Sequence, residues 1–236
     1  MPLGRPVETA RASSRRIRAV HRRLRKQQGA FRPKPRLDPL DELVMTVLSQ
    51  HTSDVNTARA FASLKERFPR WEDVLRAPTK AVADAIRPGG LADQKSPRIK
   101  AILEEVVRRE GATSLDRLND LDDDEVEDYL CSLPGVGPKT AACVLVFSLG
   151  RDAFPIDTHV HRVTRRLGWI ADTASAGAAH RVLKEAVPAE LRYELHMQLI
   201  AHGRTICKAR MPRCSECVLF DLCDAGPKLL AAGDAR

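Results

Sequence analysis

The chain has 236 residues, 43% of them hydrophobic and 30% charged, with a formal net charge of +8. That length supports one large domain or two small ones with a real core, and the absence of an apolar run of membrane length excludes a helical membrane protein. The charge is local: residues 1–36 carry 12 of the 39 Lys and Arg residues against one acid, Glu8, while residues 37–236 are slightly acidic.

Such an arm points to a polyanion partner, most often nucleic acid. A solvated tail and a leader peptide are the other readings, since "ARASSRRIRAVHRRLRKQQ" is rich in Arg and Ser and poor in acids. Ile17, Val20 and Leu24 fall at helical spacing and predict an amphipathic helix packed on the body. "RPKPR" (32–36) reads as a linker. Apolar stripes then recur with helical period: Leu40, Leu43, Val44, Val47 and Leu48; Phe61, Leu64 and Phe68; Ile99, Ile102, Leu103, Val106 and Val107; Val126, Tyr129, Leu130 and Leu133. No segment alternates with period two, so the fold class is all-α.

At "SLPGVGPKTAAC" (132–143) the helical pattern breaks. Gly135 and Gly137 permit a tight turn and close approach of backbone N–H groups to a ligand. Pro138 suits the first position of a new helix. The stretch predicts helix, hairpin, helix, with amides able to cup a phosphate. Lys139 lies in the first turn, where the helix dipole disfavours an ammonium and helps to expose the neutral amine that a nucleophile requires. Residues 141–147 are apolar all round, as in a buried helix. "FPID" (154–157) breaks the chain again and reads as a domain crossing. Asp157 is placed to cap the helix of "DTHVHRVTRRLG", and it could bring a carboxylate beside Lys139 if the chain folds back. His159 and His161 do not form a metal pair. Leu191, Leu195, Leu199 and Ile200 continue the helical pattern.

Four of the six cysteines crowd into "CKARMPRCSECVLFDLC": Cys207, Cys214, Cys217 and Cys223, spaced C-x6-C-x2-C-x5-C. Cys131 and Cys143 read as core thiols. Four thiolates in one short loop suit zinc or a [4Fe–4S] cluster, and a single C-x2-C pair favours the cluster. Lys208, Arg210 and Arg213 lie on the same loop, where they could meet a phosphate backbone or balance the cluster's charge.

"LPGVGPKTA", "IDTHVHRV" and "LIAHGRTICKARMPRCSEC" resemble, in order and spacing, the endonuclease III family of DNA base-excision repair, within the helix-hairpin-helix glycosylase superfamily. The resemblance covers roughly residues 37–225. It implies a two-domain all-α fold: a basic arm and helix over 1–40 packing with an iron–sulfur cluster domain over 152–236, and a helical barrel over 41–151 that carries the hairpin. It makes the metal a [4Fe–4S] cluster. It assigns Lys139 as the nucleophile and Asp157 as the catalytic carboxylate. Gly135, Val136, Gly137 and Thr140 become the DNA-gripping hairpin. Gln50 and Leu91 become wedges that fill the stack after the damaged nucleotide swings out. The implied partner is double-stranded DNA with a damaged base or abasic site. The implied activity is a bifunctional glycosylase and abasic-site lyase on oxidised pyrimidines, in a cytoplasmic monomer. Two departures stand out. "LADQKS" lacks the aromatic and Asn often found after that leucine, and Ser53 takes the place of a common family Asp, with Asp54 following. An adenine glycosylase of the same superfamily is the nearest rival, but it usually lacks the hairpin lysine and carries a Glu where Thr46 stands. A non-enzymatic DNA-binding module is the other.

Overall fold

The computed structural model describes residues 12–33 and 36–234. Arg5, Arg11 and the centre of "RPKPR" lie outside the described residues. Helices account for all the regular structure among these residues. The chain divides into two compact units, one of Lys34–Arg151 and one of Met1–Pro33 with Asp152–Arg236. The first boundary thus falls at residue 33 rather than 40, and the second falls between residues 151 and 152, the bounds that the resemblance implies.

In the 34–151 unit, α2 (Pro39–Ser49) starts at Asp38, whose carboxylate accepts from the Leu40 N–H at 2.9 Å. Its stripe Leu40, Leu43, Val44, Val47 and Leu48 is fully buried. Helix α3 (Asp54–Arg67) starts at Ser53, whose hydroxyl accepts from the Asn56 N–H at 3.3 Å. Ser53 therefore serves as an N-cap, a position where Ser and Asp serve about equally. Helices α4 (Trp71–Arg76), α5 (Thr79–Ile86) and α6 (Ala92–Glu110) follow. Then α7 (Asp123–Cys131) opens on a reciprocal capping box between Asp122 and Glu125. Helix α8 (Pro138–Cys143) runs directly into a π-helical turn, Val144–Leu149. Buried Ala141, Ala142, Val144 and Leu145 set α8 and this turn against α2.

The second unit joins α1 (Ser14–Gln28) to α9 (Thr158–Arg166), α10 (Ala176–Ala186), α11 (Arg192–Thr205), the cysteine loop and α12 (Gly226–Asp234). Ile17, Val20 and Leu24 of α1 are fully buried in one core with Phe154, Val160, Trp169, Leu195 and Leu199. The polar side of α1 is spent largely on its own unit. Arg16 donates to Leu222 O at 2.6 Å and pairs with Asp224 at 2.7 Å. Arg23 donates to Val218 O at 3.0 Å and grips both oxygens of Asp221. Arg18 pairs with Glu190, and His21 meets Glu194 at 2.9 Å.

Candidate active site and metal centre

The hairpin joins α7 to α8. Gly135 sits at φ +70°, the left-handed region that favours glycine, and a Cβ there would stand 2.8 Å from Arg98 Nε. Gly137, at φ −125°, is extended, so its role is to leave open space over the backbone at the start of α8. No side chain caps α8, and Pro138 occupies its first turn. Pro138 has no N–H, and the Thr140 and Ala141 N–H groups donate to Gly137 O at 2.8 and 3.0 Å, so the amides placed for an anion are those of Gly137 and Lys139. Val136 and Thr140 are buried, at 7% and 4% exposure, and hold the hairpin from within. Lys139 is half-buried in that first turn.

Glu42, on the neighbouring α2, is a site residue that sequence reasoning missed. It is 8% exposed and accepts the Thr46 hydroxyl at 3.0 Å. Burial pushes its carboxyl up to about 7, against the opposing pulls of that hydrogen bond and of the Lys139 charge. The spacing Glu42–Thr46 was the available signal, since i and i+4 share a helix face.

Gln50 ends α2, and His51 follows at φ +54°. Leu91, the residue before α6, is 46% exposed at φ +52°. Both are non-glycine residues in the left-handed region, where strain persists only if the surroundings impose it. The cause is Lys95. Its buried ammonium donates to Leu48 O (2.7 Å), Thr52 Oγ1 (2.9 Å) and Gly89 O (3.0 Å), tying the two turns together. Burial lowers its pKa, and three acceptors satisfy its three donors. Arg98, one turn further along α6, donates to Gln50 Oε1 at 2.8 Å.

In the other unit, Asp157 caps α9, its Oδ1 accepting from the Val160 N–H at 2.7 Å. His159 and His161 are engaged locally, by Arg162 at 3.1 Å and Ala174 O at 3.0 Å. Cys207, Cys214, Cys217 and Cys223 line one cavity with Val163, Leu167, His202, Ile206 and Leu219. None is in a disulfide. Among the described residues no three His, Cys, Asp or Glu side chains converge on a single ion. Thiols ranged round a cavity suit the separate corners of a cluster better than one zinc, which needs all four sulfurs about 2.3 Å from one point. Burial pushes the Cys217 thiol up to about 11 and raises Cys214 and Cys223, so cluster binding must displace protons. Arg166 donates to Cys207 Sγ at 3.2 Å and to Lys208 O at 2.7 Å, and supplies positive charge beside the sulfurs. His202, driven to about 4 by burial and therefore neutral, lies 3.5 Å from Cys217 Sγ. Of the loop cations, Lys208 and Arg210 are exposed, whereas Arg213 is held by Glu216.

Residues 44–189 match the model of HhH-GPD superfamily base excision DNA repair proteins, and residues 207–223 match the iron–sulfur binding domain of endonuclease III. A protein of Arabidopsis thaliana assigned as a DNA glycosylase is 44% identical over 165 residues, 70% of this chain and 56% of that protein. The chain thus spans a little over half of that relative. Endonuclease III of Thermotoga maritima is 35% identical over 187 residues, 79% of this chain and 83% of the enzyme. A non-covalent endonuclease III–DNA complex superposes with a TM-score of 0.79 at 29% identity, over 93% of this chain and 99% of that one. A trapped endonuclease III–DNA covalent intermediate superposes equally well, with a TM-score of 0.79 over 92% and 99% of the two chains. A helical hairpin unit and a four-cysteine unit on one chain define a helix-hairpin-helix base-excision protein with an iron–sulfur centre. Within that class the chain belongs to the endonuclease III family, and its cysteine loop carries a [4Fe–4S] cluster.

Proposed function

We propose that this chain is a bifunctional DNA glycosylase and abasic-site lyase that removes oxidised pyrimidines from duplex DNA in base excision repair. The observation that carries the reading is Lys139, a half-buried amine at the helix start of the hairpin, inside the family-matched segment. A relative trapped as a covalent DNA intermediate requires a protein nucleophile, and Lys139 is the one this hairpin supplies.

The damaged nucleotide is swung out of the stack at a cost of a few kcal/mol, less for a base that stacks poorly. Gln50 and Leu91, on the two strained turns, fill the gap. The Gly137 and Lys139 amides of the hairpin hold the phosphate backbone, and Lys208 and Arg210 add phosphate contacts from the cysteine loop. Lys139 Nζ bonds to C1′ as the C1′–N bond breaks, and the base leaves with that electron pair and takes up a proton. Asp157 offsets the positive charge that develops at the sugar. The amine loses its proton and the sugar ring opens to a Schiff base. Loss of the acidified C2′ proton then expels the 3′ phosphate oxygen and cuts the strand. The cluster's contribution is structural: bound to four cysteines, it fixes the loop that carries Lys208 and Arg210. The setting for this work is chromosomal DNA in the cytoplasm.

Thr46, where an adenine glycosylase carries its acid, spends its hydroxyl on Glu42, which supports the lyase reading over that rival. Borohydride reduction in the presence of duplex DNA with an abasic site tests the proposal. A covalent adduct forms with the native protein and is abolished in Lys139→Ala, while duplex binding is retained. An adduct of normal yield in Lys139→Ala removes Lys139 as the nucleophile.

A further inference from the structure

The mechanism above leaves Glu42 without a task. It lies in the first turn of α2, buried at 8% exposure, and α2 packs against α3, α6, α8 and the π-helical turn. Its Oε1 accepts the Thr46 hydroxyl at 3.0 Å, and it makes no ion pair among the described residues. The charges that α3 and α6 bring to α2 are engaged elsewhere. Lys65 of α3 pairs with Asp41 at 3.3 Å, and the same carboxylate accepts the Trp71 indole N–H at 2.9 Å. Lys95 of α6 is held by Leu48 O, Thr52 Oγ1 and Gly89 O. The π-helical turn has no ionisable residue. That leaves α8, whose Lys139 is the charge that bears on Glu42. A buried carboxyl thus faces the amine of the proposed nucleophile across the α2–α8 packing, with no ion pair between them.

We propose that Glu42 is the proton shuttle of Lys139: its carboxylate takes the Nζ proton once the amine has bonded to C1′, and returns that proton to the sugar ring oxygen as the Schiff base forms. The inference rests on the function proposed above, with Lys139 as the nucleophile. Bonding to C1′ leaves Nζ positively charged, and the ring oxygen O4′ on the same carbon makes its proton more acidic. That proton moves to a Glu42 oxygen. The nitrogen lone pair then forms the C1′=N double bond. The C1′–O4′ electron pair goes to O4′, and Glu42 delivers the proton there. Glu42 ends as the carboxylate it began as, and no other acid or base is consumed. A group that both takes and gives a proton works best with a pKa near the working pH. Burial supplies that, lifting the Glu42 carboxyl to about 7, whereas an ordinary Glu, at about 4.3, is a weaker base.

The test is the single-turnover rate of Schiff-base formation on a duplex with one abasic site, quenched at intervals with borohydride, across about pH 5.5 to 8.5. The native rate is expected to rise with a midpoint near 7. Glu42→Gln, which keeps the bond to Thr46, is expected to lose that inflection and to run about a hundredfold slower at about pH 7.5, with duplex affinity unchanged. Glu42→Asp, which keeps a carboxyl, is expected to recover part of the rate. Thr46→Val removes a hydrogen bond that favours the carboxylate, so the midpoint is expected to move upward. A midpoint does not depend on the fraction of folded protein, so partial unfolding mimics none of these shifts. A Glu42→Gln rate within a few-fold of native, with the same midpoint, overturns the inference and leaves the lyase reading intact. So does an unmoved midpoint in Thr46→Val. A native protein that forms no adduct, or Lys139→Ala protein that forms it at the native rate, instead overturns the function on which the inference rests.

Discussion

Glu42 shows two effects in competition at one side chain. It lies in the first turn of α2, where the helix dipole stabilises a carboxylate by about 0.3–1 kcal/mol. Desolvation outweighs that and lifts the group from 4.5 to about 7. A folded value above the unfolded one means that the native state holds the proton more tightly. Stability from this group is full below about 4.5 and is lost as pH rises through about 7. Glu42→Gln, which keeps the bond to Thr46, should therefore stabilise the protein by roughly 1–3 kcal/mol at pH 8 and by much less at pH 5.5. Thermal melts of both proteins across that range check this, and an equal difference at both ends would mean that Glu42 ionises normally. Asp157→Asn should keep the α9 cap, because Asn caps about as well, and slow base release by about two orders of magnitude or more. Turnover within a few-fold of native would leave Asp157 as a cap alone. The helix-start positions of Lys139 and Asp157 and the shared loop of the four cysteines were legible because each rests on neighbours a few residues away. Glu42, Lys95 and Arg98 were not. Arg98 meets a partner 48 residues distant and Lys95 one 47 residues distant, and burial of a polar group leaves no mark on an apolar stripe.

Among the elements, α1 departs most from what its composition suggests. Its apolar stripe was readable from period alone, and Ile17, Val20 and Leu24 are fully buried. Its charges were read as a nucleic-acid arm, yet Arg16 and Arg23 hold the chain around the cysteine loop instead. The acids they meet lie 198–208 residues away, beyond any local pattern. Two sets of substitutions should separate these roles. Arg16→Gln with Arg23→Gln should speed loss of iron on heating and leave the salt dependence of DNA binding nearly unchanged. Arg15→Gln, Arg22→Gln and Lys26→Gln, all at exposed positions, should flatten the slope of log K against log salt by up to about 2.7 with no effect on iron retention. An unchanged slope in the second set would show that α1 does not touch phosphate. Leu24→Ala removes a fully buried side chain and should cost about 2–5 kcal/mol.

For the molecule as a whole, the metal centre is the test of the second unit's integrity. The purified protein should be brown and contain iron and sulfide. Cys214→Ser should lose both the colour and much of the soluble yield, because a loop with few apolar anchors draws its folding free energy from the cluster. Stoichiometric zinc in protein made under iron-replete, anaerobic conditions would overturn the cluster assignment. The all-α class and the hairpin were legible from helical period and one Gly-x-Gly turn. The first boundary, at residue 33 rather than 40, was not, because the linker "RPKPR" and the start of α2 carry no mark of which unit they join.

The second unit is built from both ends of the chain, with the Lys34–Arg151 unit inserted between its parts. On the ribosome the inserted unit emerges whole and can close without waiting for later sequence. Helix α1 emerges before it, but Asp221 and Asp224, which receive Arg23 and Arg16, come roughly 200 residues later. At about 5–20 residues per second that delay is roughly 10–40 s. Throughout it, a strongly cationic helix with one apolar face has neither its acids nor its core yet made. The four cysteines also emerge after the inserted unit, so the second unit closes from its later part back onto α1.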